Sequence, residues 1–90
     1  MKSYEDRLDA VLNYCRDSAL SVENIHRLFS LMCNVIHYRR CWINADTLEQ
    51  ADIAGSSWDD AEDNLASFLH AQKFPTYIRL CVQWLSTHTP

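Results

Sequence analysis

The chain has 90 residues, of which 48% are hydrophobic and 22% charged, and its formal net charge is −4. This composition lies outside the weakly hydrophobic, highly charged range of disordered proteins, and the length suits one domain with a small core. One glycine and two prolines leave little material for the tight turns of β-hairpins. We therefore expect a single all-α domain over residues 1–90, built as a small bundle of four to five helices.

The first two predicted helices carry apolar residues at three- and four-residue spacing. Ser3 is placed to cap the first helix, which we expect to continue to about residue 19. The second predicted helix, from Ser21 to Arg40, has the clearest pattern in the chain, and its apolar residues extend beyond one face. We predict that it is the central helix and that Phe29 and Met32 lie in the core.

A short third helix is predicted over about residues 47–54. Residues 41–44 are interpreted as an apolar connection, and Asp46 and Glu49 have the three-residue spacing of a capping box. Gly55, the sole glycine, follows where a left-handed residue commonly closes a helix. We therefore expect a break in the helical structure at this point.

Two further helices are predicted in the last third of the chain. Ser57 is placed to cap a fourth helix that reaches about residue 72, and Pro75 suits the first position of a last helix. The last helix has a second apolar side, at Tyr77, Leu80 and Trp84. It is therefore either buried on two sides or forms an oligomer surface.

The cysteines show no close-spaced pair of the metal-binding or redox kind, and we expect reduced, mostly buried thiols at Cys15, Cys33, Cys41 and Cys81. Cys33, His37 and Cys41 follow each other at four-residue steps. On one helix this trio spans about 12 Å, so at most one adjacent pair could share a zinc ion. No cofactor is predicted, and a role of the trio beyond packing stays open.

The sequence also allows predictions about the location of the protein in the cell and about enzymatic activity. No apolar run approaches the roughly 20 residues that span a bilayer, and the N-terminus is too acidic and polar for a signal peptide. We expect a cytoplasmic protein without a membrane partner. Because no catalytic motif is present, we expect no enzymatic activity, with a small enzyme or a metal-binding protein as a minor alternative.

Charge is distributed unevenly along the chain. Residues 41–72 contain seven acidic residues and no Lys or Arg, and two of the three tryptophans lie among or beside the acids. Stabilisation of helix N-termini explains some of these acids, but not the absence of basic residues. We predict a partner-binding surface, with three aspartates on the exposed side of the fourth helix, composed of Trp42, Asp46, Glu49, Asp52, Trp58, Asp59, Asp60, Glu62 and Asp63.

An acidic surface repels the phosphate backbone, so we expect no direct binding of nucleic acid. It favours a basic protein partner, such as a nuclease or a nucleic-acid-binding complex. In size and charge the chain is similar to bacterial toxin-immunity proteins and phage-encoded anti-CRISPR proteins, and this likeness implies a small protein inhibitor. The alternative is a helical adaptor or regulatory subunit that binds a partner helix, or forms a homodimer, through the apolar face of the last helix.

Overall fold

The computed structural model describes residues 3–88, and these residues form four α-helices and no strand. The helices are α1 (Tyr4–Asp17), α2 (Val22–Ile43), α3 (Leu48–Ala71) and α4 (Thr76–Thr87). The all-α prediction is confirmed for this part of the chain, with four helices rather than five. None of the four combines the length and the apolar character that a membrane span requires.

Side-chain caps fix the starts of α1 and α2 where the sequence predicts them. The Ser3 hydroxyl accepts a hydrogen bond from the Asp6 N–H, and the Asp6 carboxylate accepts one from the Ser3 N–H, which completes a capping box. The Ser21 hydroxyl accepts a hydrogen bond from the Asn24 N–H at 3.1 Å. Each cap satisfies a backbone donor that the helix start would leave unpaired.

Helix α2 does not end at Arg40, so the predicted connection over residues 41–44 is wrong. The helix continues to Ile43, and the Asn44 N–H still donates to the Arg40 carbonyl at 3.0 Å. Residues 41–43 contain neither glycine nor proline, and Trp42 in the last turn contacts α3. Nothing local interrupts the helix, and packing favours its continuation.

Helix α3 begins at Leu48, with Thr47 rather than Asp46 as its cap. The Thr47 hydroxyl accepts from the Gln50 N–H at 3.1 Å, and the Gln50 side chain accepts from the Asp46 N–H at 3.0 Å. The sequence holds two overlapping pairs at three-residue spacing, Asp46 with Glu49 and Thr47 with Gln50. The structure uses the second pair, which shifts the helix start by one residue.

Gly55 lies inside α3, so the predicted break between a third and a fourth helix is wrong. A glycine inside a helix costs about 1 kcal/mol relative to alanine, whereas burial of one large aliphatic side chain contributes about 1.5 to 3 kcal/mol. Packing against α2 therefore outweighs the local preference. The apolar stripe continues across the glycine without a change of phase, at Ala54, Trp58, Ala61 and Leu65.

The left-handed positions that close α1 and α3 are occupied by Ala19 and Lys73, with φ of 55° and 56°. After α1, the Leu20 N–H donates to the Cys15 carbonyl and the Ala19 N–H to the Arg16 carbonyl. The same pair of bonds follows α3. Both ends are Schellman motifs, which usually carry glycine at the left-handed position.

Helix α4 begins at Thr76, and Pro75 is its N-cap residue rather than its first helical residue. The helix packs mainly against α1 and α2, while α3 packs mainly against α2. Met32 is buried, as predicted, whereas Phe29 is only partly buried against the core. The core joins all four helices and consists of Val11, Cys15, Leu28, Leu31, Met32, Val35, Ala61, Leu65, Phe68, Leu69, Phe74, Ile78, Cys81, Val82 and Leu85.

Helices α2 and α3 form a long antiparallel hairpin that α1 and α4 cover over one half only. The helices of the hairpin have 22 and 24 residues, against 14 and 12 for α1 and α4. We call residues 39–57 the hairpin end. Within this range Ala54 is the one buried residue, and the longest dimension of the molecule is 45 Å. The hairpin end therefore projects from the core.

Candidate protein-binding surface

The seven acidic side chains of the segment 41–72 are all exposed, at Asp46, Glu49, Asp52, Asp59, Asp60, Glu62 and Asp63. Within residues 3–88, none of them forms an ion pair with a Lys, Arg or His side chain. An ion pair does form within residues 3–88, but on α1, where Nε of Arg16 lies 3.3 Å from Oδ1 of Asp17. Seven hydrated carboxylates in a segment that contains no Lys or Arg give that segment a negative field.

The acidic side chains do not form one continuous patch. Asp60 borders a depression between α2 and α3, whereas Glu62 and Asp63 line a groove between α3 and α4. Asp59, Asp60 and Asp63 are all exposed, as expected, but Asp60 and Asp63 border different surfaces of the helix. The remaining acids lie on the hairpin end, at Asp46, Glu49 and Asp52.

The two tryptophans of the segment contact each other at the base of the hairpin end. Their ring centroids are 5.5 Å apart, with planes inclined at 46°. A Cβ at Gly55 would lie 3.5 Å from Cδ1 of Trp42, so the indole rests against α3. Trp42 keeps 47% of its surface exposed, whereas Trp58 packs against the core, and its buried indole N–H has no partner within residues 3–88. Trp42 is therefore the surface member of the pair.

Exposed apolar side chains lie beside the acids on the hairpin end, and they are not part of the binding surface predicted from the sequence. Ile43, Leu48 and Ile53 are 54%, 85% and 63% exposed. The sequence indicates the exposure of two of them. Ile53 is next to Ala54 and so lies off the buried stripe of α3, and Ile43 lies beyond the predicted end of α2. Apolar residues within a charged surround are the usual composition of a protein interface.

A groove of about 550 Å³ separates α3 from α4. Leu80, on the wall that α4 provides, is 59% exposed, which is unusual for a leucine beside a core. The groove therefore opens an apolar surface to solvent next to acidic side chains. Its lining consists of Val35, Glu62, Asp63, Leu65, Ala66, Leu80, Gln83, Trp84, Ser86 and Thr87.

Cys33, His37 and Cys41 lie on one helix, α2, and the sulfur of Cys41 is 3.7 Å from Nε2 of His37. Within residues 3–88 no group of three His, Cys, Asp or Glu side chains could hold a metal ion. The expectation of mostly buried thiols is met by Cys15 and Cys81, whereas Cys33 and Cys41 are exposed. Burial raises the pKa of the Cys15 thiol, because the thiolate would lose its hydration.

Comparison with known proteins assigns no family to this chain, since no family model, no curated protein and no solved structure matches it. What the chain binds must be inferred from its own side chains. Two surfaces offer the necessary chemistry: the hairpin end, with exposed carboxylates and apolar side chains, and the groove between α3 and α4.

Proposed function

We propose that this protein is a small acidic inhibitor or regulator that binds a basic, nucleic-acid-handling protein through residues 42–63, as toxin-immunity and anti-CRISPR proteins act on their targets. The observation that carries the proposal is the composition of the hairpin end. Its carboxylates, at Asp46, Glu49 and Asp52, are exposed and form no ion pair with a Lys, Arg or His side chain within residues 3–88. Beside these carboxylates stand four exposed apolar side chains, Trp42, Ile43, Leu48 and Ile53.

The two kinds of side chain have different tasks in such a complex. Carboxylates attract a positively charged surface over several ångströms and raise the association rate, an effect that salt screens. Apolar side chains such as Trp42 lose their water only on contact, and they supply the central, desolvated part of the interface. The partner's nucleic-acid site is positively charged because it binds phosphates, so the carboxylates of the hairpin end can occupy it in their place.

The shape of the hairpin suits this role. Two long helices that pack against each other present their side chains on a preformed support, so few backbone torsions have to be ordered on binding. The hairpin end also projects beyond the core, which lets it enter a groove that a rounder molecule would only cover. We therefore expect binding to exclude nucleic acid from the partner by direct competition.

The test needs a partner that is first captured by affinity purification with the wild-type chain. The affinity of three variants for that partner is then measured by titration at low and at high salt. Asp52→Lys should weaken binding about three- to tenfold at low salt and less at high salt, whereas Trp42→Ala should weaken it at both. Asp9→Lys is the matched control, since it makes the same charge change at an exposed position on α1. Melting curves verify folding. Wild-type affinity of Asp52→Lys at low salt would remove the proposal.

One observation favours a second candidate function, a helical adaptor or dimerising subunit that binds through α4. Tyr77 and Leu80 are 48% and 59% exposed on the second apolar side of this helix. Trp84 on the same side is partly covered by α1, with the Arg7 guanidinium carbon 3.9 Å from its ring centroid. Apolar contact is little affected by salt. Light scattering that shows a salt-resistant dimer, lost in Leu80→Asp, would favour this candidate.

A further inference from the structure

The groove between α3 and α4 exists because the two helices pack on α2 but hardly on each other. Val35 and Leu65 are buried core residues that also line this groove, and Leu80 and Trp84 belong to its α4 side. Trp84 is held in place from several directions. The Arg7 guanidinium lies over its ring, and the His88 ring stacks on it with centroids 4.4 Å apart. The apolar lining is therefore largely preformed, as binding sites usually are.

The charged side chains in the groove lining are acidic, while the cation Arg7 lies over the ring of Trp84. Glu62 and Asp63 belong to its lining, and no Lys or Arg does. Neither carboxylate has an ion pair within the described part of the chain. An apolar occupant with positive charge at its edge would bury Leu80 and at the same time supply the missing counter-charges.

The secondary structure of the occupant follows from the backbone of the site. Residues 3–88 contain no strand, so the groove offers no edge with which an extended segment could pair. A helix needs no such edge, because its backbone groups are paired within the helix itself. The α4 wall extends from Leu80 to Thr87, about 10 Å along the helix axis. This length matches an i to i+7 row of side chains on a partner helix.

We propose that the groove between α3 and α4 binds a basic amphipathic helix of the partner protein, an inference that rests on the proposed function. Apolar side chains of that helix cover Leu80 and the groove floor, and its Lys or Arg side chains pair with Glu62 and Asp63. The hairpin end and the groove then contact different parts of the same partner. Loss of one contact weakens the complex without abolishing the other.

The test uses a synthetic helical peptide of about 14 residues, roughly four turns, with leucines along one face and lysines elsewhere. It is titrated into the isotopically labelled full chain at low salt and followed by nuclear magnetic resonance. The proposal predicts that the amide shifts centre on Ala66, Leu80 and Trp84. A peptide with glutamate in place of lysine should bind at least about tenfold more weakly, because its charges would face the two carboxylates.

Variants of the chain separate the contributions of charge and apolar contact. Glu62→Lys with Asp63→Lys should lower the peptide affinity about tenfold, and Leu80→Ala should lower it at every salt concentration. Asp9→Lys with Asp17→Lys is the matched control, since it makes the same total charge change at two exposed positions on α1 that do not line the groove. It should leave the affinity within about twofold of wild type, because the screened charges lie outside the groove.

The outcomes distinguish this inference from the proposed function. Shifts confined to residues 42–53 would overturn the groove as the helix site. Equal losses of affinity in the Asp9/Asp17 control and in the Glu62/Asp63 double variant would overturn it too. Absence of any shift at millimolar peptide would overturn it as well. The role of the hairpin end is judged separately, in the partner titration with Trp42→Ala and Asp52→Lys.

Discussion

Gly55 has helical backbone inside α3, while Lys73 closes the same helix with φ of 56°. Glycine has the larger backbone entropy in the unfolded chain, and a side chain in the left-handed region crowds its own backbone. Both positions therefore carry a local energetic cost. The tertiary contacts of the neighbouring residues, such as the Trp42 ring beside Gly55, offset that cost.

Gly55→Ala should stabilise the protein by about 0.5 to 1 kcal/mol, because alanine lowers the unfolded-state entropy and favours the helix. Its Cβ would lie 3.5 Å from the Trp42 ring, which is an ordinary contact. Thermal unfolding followed by circular dichroism should show a rise of a few degrees in Tm. Ala54→Gly, the reverse change at the preceding residue, is the comparison and should lower Tm. A fall in Tm for Gly55→Ala would mean that the indole cannot accept the methyl group.

At the scale of elements, α2 is central because α3 packs along it and α4 packs on it as well. Its buried residues lie along one stripe of the helix, at Leu28, Leu31, Met32 and Val35. Phe29 belongs to the apolar stripe in the sequence but only borders the core in the structure. Position on the helix alone therefore does not give the depth of burial.

Met32→Ala should cost about 2 to 5 kcal/mol, since truncation leaves a cavity among buried side chains. Phe29→Ala should cost less, because Phe29 is only partly buried. Chemical denaturation of both variants measures the difference. Ser30→Ala, at an exposed position between them, should stay within about 0.5 kcal/mol of wild type. An equal or larger loss in Phe29→Ala would contradict the observed burial.

At the scale of the whole molecule, the two halves of the hairpin differ in their support. Residues 28–35 and 61–69 share the core with α1 and α4, whereas the hairpin end buries one residue, Ala54. Segments with few buried contacts open locally at lower free energy than the core. The proposed binding surface lies in the less protected half, as binding segments commonly do.

Hydrogen exchange followed by mass spectrometry should show this difference. Amides of residues 40–55 should exchange through local opening, while those of residues 28–35 and 61–69 should require global unfolding. Low concentrations of denaturant provide the control, since they accelerate global opening far more than local opening. Equal protection along the whole of α2 and α3 would mean that the hairpin end is covered, for instance by a second copy of the chain.

The sequence by itself determined those features that depend on neighbours within a few residues. The caps at Ser3 and Ser21 lie where the pattern predicts them, and the helical period gives an all-α fold with Met32 in its core. The charge of the acidic segment is likewise a property of the sequence, and its seven carboxylates are exposed. Such features require only local hydrogen bonds, spacing and solvation.

Only the tertiary structure decided that α3 continues across Gly55, because packing against α2 outweighs the helix penalty of glycine, about 1 kcal/mol. It also decided that α2 extends to Ile43, where Trp42 packs against α3. It also decided which apolar side chains stay exposed. Ile53 lies beside the buried stripe of α3 and Leu80 on the second apolar side of α4. No described helix covers them, since α1 and α4 are too short for the hairpin end and α4 leaves a groove beside α3. Exposure of this kind depends on helix lengths and docking between residues far apart in the chain.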